Sequence, residues 1–451
     1  MFTTLFSRTY LLLLLLACFT QAAFADEAFE ADLSERTFRF FWETADPKTG
    51  LIPDHYPDTK FASVAAVGFG LTAYPVGIDR GYITREQGAT RTLKTLRFLW
   101  NAPSGDSPTG MTSYKGFFYH FLVPETGERF KTTELSTIDT ALLMAGVLFS
   151  KEYYDGEAPA EKEIRELADR LYRRVDWAWA QDEKTRLMGH GWRPEKGMIP
   201  YQYHGYCEAM ILNLLAVGSP THPATPDVWE AFCKEYKWGS FMGYEQVNFS
   251  PLFGHQYSHL WIDFRDIQDP YMKERGIDYF ENSRRATLSQ KAYGKAREFP
   301  KNIWGLTACA GPGGGTRAFK SYWARGASLD HIRDDSTISP TAAGGSIPFA
   351  PAECLESLQE MKKRYGASVY REYGFIDSFN PYFPSQLQPG SGDFIDEVWF
   401  HNRYLGIDQG PILGMLANYQ DDFVWKYMRR EPYLKDALKK VGFSGGWLGQ
   451  N

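Results

Sequence analysis

The sequence predicts an all-α fold, in which helical hairpins form a ring and an inner barrel of helices is wrapped by an outer one. Two kinds of predicted helix alternate along the chain, six of each: one is charged along one face and the other is apolar nearly all round. A helix that is apolar on every side is buried, whereas one with a charged face lies outside. No low-complexity linker or charge run marks a boundary, so residues 26–451 are predicted to form a single domain.

The outer helices are predicted from apolar stripes that face away from charged residues. In "EKEIRELADRLYRRVDWAWA" the stripe consists of Ile164, Leu167, Leu171 and Val175, which recur at helical spacing. The six predicted outer helices are Ala28 to Thr44, Thr84 to Trp100, Ala160 to Ala180, Pro226 to Tyr236, Tyr271 to Glu298 and Pro351 to Tyr365.

The inner helices are predicted from apolar runs that are rich in small residues. They are "SVAAVGFGLTAYPVGI" from Ser63, "STIDTALLMAGVLF" from Ser136, "GYCEAMILNLLAVG" from Gly205, "HQYSHLWIDF" from His255, "SPTAAGGSIPF" from Ser339 and "DQGPILGMLANY" from Asp408. The long stretches between helices, 104–133, 299–338 and 374–405, are rich in Gly, Pro and aromatic residues. They are predicted to be structured loops around a site, with short β-hairpins such as one within "GFFYHFLVPETGERF".

Composition narrows the class of partner. The chain has 451 residues, of which 43% are hydrophobic and 16% aromatic, and its formal charge is −6. A mildly acidic chain without blocks of Lys or Arg argues against nucleic acid as a partner. The aromatic content suits stacking on sugar rings, although a large core also uses such side chains.

The N-terminus has the features of a secretory leader. Arg8 provides a positive region, residues 10–17 a short apolar run, and "AFA" ending at Ala25 a small-residue cleavage site. A signal peptide over residues 1–25 is therefore predicted, with export to the periplasm. The alternative is a lipoprotein processed at Cys18, because "LLAC" resembles a lipoprotein cleavage box. No later apolar run reaches about 18 residues, so no membrane span is predicted.

The cysteines do not form a metal or disulfide pattern. Cys207, Cys233, Cys309 and Cys354 are scattered, and no CxxC pair occurs. This spacing excludes a zinc ribbon and a dense disulfide scaffold. Whether any two of them are bridged stays open.

Three acidic residues lie near the starts of predicted inner helices. They are Asp139 in "STIDTALLMAG", Glu208 at the head of an apolar stripe, and Asp408 in "GIDQGPILGML". Because hairpins alternate direction, the inner helices run the same way and their N-termini gather at one rim. There the helix dipole favours a charged carboxylate, whereas burial favours a neutral one, so the rim suits an acid–base pair. The alternative is capping or a structural salt bridge, and Ser136 or Thr137 reads well as an N-cap.

Two further pairs of residues suggest contacts at the same rim. His255 and His259 are four residues apart, a spacing that can chelate a metal, but the HExxH pattern fails and no third ligand is evident. Hydrogen bonding to sugar is favoured, and neither a metal nor another cofactor is predicted. Asp263 and Arg265 are predicted either to form a bidentate ion pair or to contact substrate.

Other motifs are excluded or weak. "GPGGGT" at 311–316 lacks the Lys-Ser/Thr of a phosphate loop and, with Trp304 nearby, is interpreted as a flexible loop beside a stacking residue. No GxSxG precedes a helix, which disfavours a serine esterase. A nucleophilic Cys207 would need a nearby base, and His204 lies half a turn or more away around the predicted helix.

Long ordered motifs carry a resemblance to a known family. They are "HGYCEAMILNLLAVGSPTHP", "STIDTALLMAGVLF", "DDSTISPTAAGGSIPFAP", "FIDSFNP" and "LGIDQGPILGMLANY". Together they resemble the glycoamylase-like domain of glycoside hydrolase family 144, the bacterial endo-β-1,2-glucanases, over residues 30–440. The resemblance implies a single (α/α)6 barrel and an anomer-inverting hydrolase of β-1,2-glucan or its oligosaccharides, with sophorose released by some relatives.

The resemblance also implies roles for particular residues. Glu208 in "GYCEAM" matches the family's general acid, Asp408 in "GIDQGP" matches a proposed general base, and Asp139 in "STIDTA" matches an aspartate important for activity. Cys207 stands where relatives often carry Asn, and Ala417 where they often carry Glu, which leaves substrate choice and the endo or exo mode open. The residues expected to line the sugar subsites are Glu134, His204, His255, Arg265, Trp304 and Asp335.

Two rival functions remain at this point. One is a polysaccharide lyase or another glycosidase on the same helical toroid; a lyase would use Tyr, His and Asn or Arg beside a uronate carboxylate. The other is a non-catalytic periplasmic glucan-binding protein, against which the three inward acids argue. The oligomeric state is not determined by the sequence.

Overall fold

The computed structural model describes residues 26–314 and 318–449 and is mostly helical, with many short strands. The predicted leader lies outside the described residues, as does the end of the "GPGGGT" stretch. The α-helices are α1 (26–44), α2 (Val64–Asp79), α3 (Arg85–Asn101), α4 (Thr137–Tyr153), α5 (Pro159–Arg173), α6 (Trp177–Ala180), α7 (Met210–Gly218), α8 (Asp227–Cys233), α9 (Tyr257–Trp261), α10 (Pro270–Arg275), α11 (Tyr279–Ala296), α12 (Pro340–Gly344), α13 (Pro351–Tyr365), α14 (Gly406–Asp421), α15 (Phe423–Met428) and α16 (Pro432–Lys440).

The strands are two to four residues long and pair antiparallel in small sheets. They are β1 (His55–Tyr56), β2 (Ala62–Ser63), β3 (Ser113–Tyr114), β4 (Phe117–Phe118), β5 (Phe121–Leu122), β6 (Leu135–Ser136), β7 (Met188–Gly189), β8 (Gly191–Arg193), β9 (Gly197–Met198), β10 (Gln202–Tyr203), β11 (Trp238–Phe241), β12 (Tyr244–Val247), β13 (Ala308–Cys309), β14 (Trp323–Ala324), β15 (Gly326–Ala327), β16 (Ile332–Arg333), β17 (Tyr370–Arg371), β18 (Gly374–Phe375), β19 (Ser378–Asn380), β20 (Asp393–Ile395), β21 (Val398–His401) and β22 (Tyr404–Leu405).

Six buried helices form a closed inner ring. In order around the ring, α2 packs on α4, α4 on α7, α7 on α9, and α12 on α14, which returns to α2. The ring closes between α9 and α12 through the side chain of Gln256, whose Nε2 donates to the carbonyls of Thr341 and Ala342 at 3.3 and 3.0 Å. Every residue of α7 is buried, as expected for a helix that is apolar all round.

Among the outer helices, α3 and α13 follow the sequence prediction closely. α3 and α5 pack on each other and on α2 and α4, while α13 packs on α12 and α16 on α7. α3 begins after Thr84, whose side chain accepts a hydrogen bond from Gln87 N in a capping box. The observed α13 coincides with the predicted Pro351 to Tyr365 segment. The all-α prediction is confirmed in its coarse form, a helical fold with short hairpins.

The bounds of five predicted helices are wrong. The predicted outer helices 160–180 and 271–298 are each two helices, α5 with α6 and α10 with α11. The inner helices α9 and α12 have only 5 residues each. The helix predicted to begin at Gly205 begins at Met210, because Gly205 adopts a positive φ of 68° and the chain turns before entering α7. Glu208 therefore lies in the turn that precedes α7 and not on its apolar face.

The short strands gather where the inner helices begin. β1 pairs with β22, so the segments that lead into α2 and α14 are joined, and Gly406 N donates to Asp54 O at 2.9 Å. β2 pairs with β5, and β6 with β8. The predicted hairpin within residues 116–130 contains β4 and β5, which pair with β3 and β2. Within this segment an isolated antiparallel bridge joins Leu122 to Arg129, flanked by hydrogen bonds from Val123 N to Glu128 O at 2.8 Å and from Phe130 N to Phe121 O at 2.9 Å. The sheets thus build a rim around one end of the barrel.

Two glycines allow α2 and α4 to approach closely. A Cβ added to Gly68 would overlap the carbonyl of Leu142, and one added to Gly146 would overlap the carbonyl oxygen of Gly68. The backbones are therefore in direct contact at this crossing, which sets the spacing of the two helices whose starts carry Ser63 and Asp139.

We expect Gly146→Ala to lower the free energy of unfolding by roughly 1–3 kcal/mol, because an added methyl in a packed core forces the helices apart. Thermal and urea unfolding would measure the loss. Gly449→Ala is the matched control, since a Cβ there meets nothing within 4 Å. Equal stability of the two variants would show that the helix crossing tolerates a wider spacing.

Within the described ranges, no helix combines the length and apolar character needed to cross a membrane. Cys207, Cys233, Cys309 and Cys354 are all buried and unbridged. The question of disulfides left open by the sequence is thereby answered for these four residues.

Candidate functional site

A cavity of about 350 Å³ opens at the N-terminal ends of α2, α4 and α14. Ser63, Asp139 and Ile407, at or near the starts of these three helices, contribute to its wall. The other polar wall residues used below come from loops and strands of the rim: Asp54, His120, Tyr322, His401 and Arg403.

Asp139 is buried in the first turn of α4 and is held from two sides. Ser136 caps the helix, since its Oγ accepts from Asp139 N at 3.2 Å, and it also donates to Asp139 Oδ2 at 2.5 Å. His120 Nε2 lies 3.6 Å from the same oxygen. The predicted cap is therefore Ser136, which leaves the Asp139 carboxylate available to the cavity.

His120 acts as a cation between two carboxylates. Its Nδ1 lies 2.9 Å from Glu134 Oε1, and Arg193 Nη2 lies 3.2 Å from Glu134 Oε2. Burial opposes the charged imidazole, but Asp139 and Glu134 outweigh it and raise the pKa of His120 to about 9. The hydrogen bond from His120 lowers the pKa of Glu134 to about 2. At neutral pH an imidazolium thus faces the cavity beside Asp139.

Glu208 differs from Glu134 in that its pKa is raised and not lowered. It keeps partial access to solvent in a recess of the protein, on the turn before α7, and its own carbonyl accepts from Ser258 Oγ at 2.8 Å. Burial, together with the nearby charge of Asp139, raises the pKa of Glu208 to about 7. A substantial fraction of Glu208 is therefore a neutral acid at pH 7, while glutamates in water are ionised.

Asp408 lies in the first turn of α14, against a second aspartate. Asp408 is 3% exposed and Asp377, just before β19, is fully buried. Burial and the adjacent carboxyl of Asp377 raise the pKa of Asp408 well above its usual range. On the cavity side of this pair, His401 Nδ1 lies 2.7 Å from Asp377 Oδ2.

Tyr257 lies near the acids Asp139 and Glu208 and also near Asp408. Its hydroxyl donates to the carbonyl of Ile407 at 3.0 Å. Burial raises the pKa of Tyr257, and the charges of Asp408, Glu208 and Asp139 add to that effect, so all three carboxyls lie near one phenol. The structure therefore brings together, around one end of the barrel, three acids that are far apart in the sequence.

Arg265 lies at the opposite end of the barrel. It binds Asp263 through two hydrogen bonds of 2.8 and 3.0 Å, and Asp422 through one of 2.7 Å. Asp422 follows the last residue of α14, about 20 Å from Asp408 at 1.5 Å per residue. The ion pair predicted as an alternative is therefore the observed arrangement, and the prediction that Arg265 lines a sugar subsite is wrong in its placement.

His255 and Trp304 are also away from the cavity. His255 is fully buried, its Nε2 is 3.2 Å from the carbonyl of Phe249, and burial lowers its pKa to about 4. His255 and His259 both face Ser283, at 3.5 and 3.0 Å. Trp304 is 2% exposed and borders a different groove, formed by α11 and the segment that follows it. Both residues were predicted at the sugar-binding rim, and both belong to the core.

Of the remaining predicted subsite residues, Glu134 is in contact with the cavity wall through His120, and His204 and Asp335 are not among the wall residues. Glu134 holds His120, as described above. His204 is exposed on the loop between β10 and Glu208. Asp335 is bound by the buried Arg325 through hydrogen bonds of 2.7 and 2.8 Å. Although burial opposes ionisation, Arg325 holds the pKa of Asp335 below its usual range, and this carboxylate is occupied by its partner.

Several polar residues of the site were not singled out from the sequence. They are His120, Asp54, Asp377 and His401, which lie in loops or short strands without periodicity. Only Asp377 belongs to a motif that carries the family resemblance, "FIDSFNP". A carboxylate or imidazole that directly follows a short strand gives no signal of its own. These residues were recognisable only by the elements that converge on them.

A larger groove of about 870 Å³ lies on the outer surface at α8 and α10, beside Trp229 and Tyr271. Its buried Asp269 already accepts from Trp229 Nε1 at 2.8 Å and Tyr279 OH at 2.9 Å. Size alone would favour this groove. The smaller cavity is the candidate site because its wall residues Asp139 and Asp54 act on Glu208 and Asp408, two acids with raised pKa values that are not themselves part of the wall.

Over the residues that the structure describes, no cluster of three or more His, Cys, Asp or Glu side chains is arranged to hold a metal ion. The wall of the cavity provides the imidazolium of His120 beside Asp139, and the charge of Asp139 acts on the partly neutral acid Glu208.

Neighbouring carboxyls of different protonation state are an arrangement typical of glycoside hydrolases. The chain belongs to the glycoamylase family: residues 200–432, just over half of the chain, match the family model "Glycoamylase", described as "Putative glucoamylase". The matched region includes Glu208, Asp377 and Asp408.

Known proteins of similar sequence and structure support this membership. A crystal structure from Bacteroides uniformis with the same description is 30% identical, covers 94% of this chain and 99% of its own, and has a TM-score of 0.81. The endo-beta-1,2-glucanase from Chitinophaga pinensis, solved as a sophorotriose and glucose complex, is 27% identical, with coverages of 94% and 99% and a TM-score of 0.80.

A curated relative from Parabacteroides distasonis is named exo beta-1,2-glucooligosaccharide sophorohydrolase (non-reducing end). It is 27% identical over 455 residues, which is 92% of this chain. This chain spans 58% of the length of that relative.

Proposed function

We propose that this chain is a glycoside hydrolase that cleaves β-1,2-linked glucan or its oligosaccharides, on an (α/α)6 barrel of six helical hairpins. Two similar proteins, from Chitinophaga pinensis and Parabacteroides distasonis, are named for action on β-1,2-linked glucose. The single observation that carries the proposal is Glu208, a carboxyl whose pKa is raised to about 7 by burial and by the charge of Asp139, which lines the cavity.

In the proposed reaction Glu208 is the general acid. Cleavage of a glycosidic bond requires a proton on the leaving oxygen, and a carboxylic acid that stays protonated near neutral pH can donate it. Burial in the recess before α7 disfavours the charged form, and the charge of Asp139 disfavours it further. Asp139 therefore helps to keep Glu208 ready to donate.

Asp408 is the proposed general base of an inverting mechanism. Such a mechanism uses a carboxylate to activate water on the face opposite the acid, with the two carboxyls typically ~6.5–9.5 Å apart. Asp408 shares its surroundings with Asp377, which disfavours two negative charges. Its conversion to the carboxylate is thus the step that limits the base.

Asp139 and His120 are proposed to bind the reacting sugar. The carboxylate accepts from a sugar hydroxyl, and the imidazolium, held by Glu134, donates to a neighbouring oxygen. The stacked ring of Phe121, 3.8 Å from the imidazole centroid, backs this wall with an apolar face. An acceptor beside a fixed donor matches the alternating hydroxyls of glucose.

The proposed activity is tested by product analysis after incubation with linear β-1,2-glucan. New reducing ends are expected, and sophorose alone would indicate exo action, whereas mixed oligosaccharides would indicate endo action. Amylose is the matched second substrate, because the family description names a glucoamylase. Hydrolysis of amylose with β-1,2-glucan untouched would overturn the proposed linkage. An unsaturated uronate product would point to a lyase, and binding without cleavage would contradict the enzyme itself.

The proposed compartment is the periplasm. It rests on the leader-like features of residues 1–25, which end in the small-residue site at Ala25.

A further inference from the structure

We propose that Asp377 is a positioning residue which binds the carboxyl of Asp408 in a pair that shares one proton, and so determines when Asp408 becomes a carboxylate. This inference rests on the proposed function, in which Asp408 is the base. It assigns a role to a residue that the sequence analysis did not name as part of the site.

The buried oxygens of the pair carry the argument. Asp377 Oδ1 and Asp408 Oδ2 are both buried, and neither has another hydrogen-bond partner. A buried carboxyl oxygen without a partner costs free energy, so two such oxygens on adjacent side chains are best satisfied by a proton between them. The two carboxyls are in hydrogen-bond contact, which requires that one of them is protonated.

The second oxygen of Asp377 is held in place by two other elements. Ala310 N donates to Asp377 Oδ2 at 3.0 Å, and His401 Nδ1 lies 2.7 Å from the same atom, although its N–H does not point straight at it. Ser378 Oγ also holds Ala310, by donating to its carbonyl at 2.7 Å. Asp377 is therefore immobile between the cavity wall and Asp408.

The charges around the pair favour retention of one proton. The acidic groups that surround the pair are Asp54, Tyr322, Cys309 and Tyr257. The cations are Arg325 and Arg403, and the imidazole of His401 lies beside Asp377. Arg325 is neutralised by Asp335.

The first test needs no catalysis: melting temperature against pH for the wild type, Asp408→Asn and the exposed control Asp393→Asn. A carboxyl whose pKa is raised on folding stabilises the protein at low pH, and this contribution is lost as pH rises through the folded pKa. Relative to the wild type, Asp408→Asn should therefore gain about 2 °C or more between about pH 5 and pH 8. A difference that stays constant with pH would overturn the shared proton, whatever the enzyme's activity.

The second test compares pH profiles of kcat/KM on linear β-1,2-glucan for Asp377→Asn and Asp377→Glu. Asn cannot ionise and its amide donates to Asp408, so the acidic limb should move to lower pH by about one unit or more. Glu restores a carboxyl and should return the limb towards the wild type. A lower kcat with an unmoved limb would overturn the positioning role. A wild type that leaves β-1,2-glucan intact would instead contradict the proposed function. The melting comparison would still decide whether Asp377 and Asp408 share a proton.

Discussion

Glu208→Gln should lower kcat on β-1,2-glucan on the order of a thousandfold, with KM changed only a few-fold. Gln has nearly the shape of Glu but no proton to give to the leaving oxygen. In the wild type, activity should fall as pH rises through about 7, because the acid must be protonated and its pKa is raised to about 7. The variant should lose this basic limb. Release of reducing ends across a pH series measures both effects.

A substrate with an activated leaving group separates a lost acid from general damage. An aryl glycoside leaves without much protonation, so Glu208→Gln should be impaired far less on it than on glucan. Glu166→Gln is the matched control, because Glu166 is exposed on the outer helix α5. Retention of most glucanase activity by Glu208→Gln, or equal losses on both substrates, would remove Glu208 from the acid role.

Asp139→Asn should lower kcat by about a hundredfold or more, because it removes a charge-assisted contact to the reacting sugar. It should also move the basic limb to lower pH, since the charge of Asp139 contributes to the raised pKa of Glu208 and Asn does not carry that charge. The same pH series measures this shift. If Asp139 instead lowered the pKa of Glu208 by hydrogen bonding, Asp139→Asn would move the basic limb to higher pH.

Stability measurements decide between this role and a capping role for Asp139. Ser136 is the residue that caps α4, so Ser136→Ala should cost about 1 kcal/mol of unfolding free energy. Asp139→Asn keeps the cap and should leave stability nearly unchanged. A large loss of stability in Asp139→Asn with an unshifted pH profile would return Asp139 to the structural interpretation.

Helices on the outside of the barrel were predictable because their pattern is local. α3 and α13 begin and end within a residue or two of their predicted bounds, since charged and apolar residues alternate at helical spacing. The start of α7 was not predictable in this way. Gly205 and the turn after it interrupt a run that is apolar throughout, and periodicity cannot locate a boundary inside such a run.

The positions of two predicted subsite residues, Arg265 and His255, could not be predicted from local periodicity either. Arg265 and His255 follow or begin an inner-type segment, and sequence placed them at the rim with the other helix starts. α9 has only 5 residues, so residues on either side of it reach different depths of the barrel. Arg265 is thereby bound to Asp422 at the far end, and His255 is enclosed in the core.

Local periodicity and helix end signals were sufficient to predict the alternation of buried and exposed helices, and to place Asp139 and Asp408 in the first turns of two inner helices. Which carboxyl is neutral follows only from the folded arrangement. The proton affinity of Glu208 depends on burial and on Asp139, and that of Asp408 on Asp377, and both neighbours come from distant parts of the chain. Electrostatic free energy depends on distance in space, which a linear pattern does not contain.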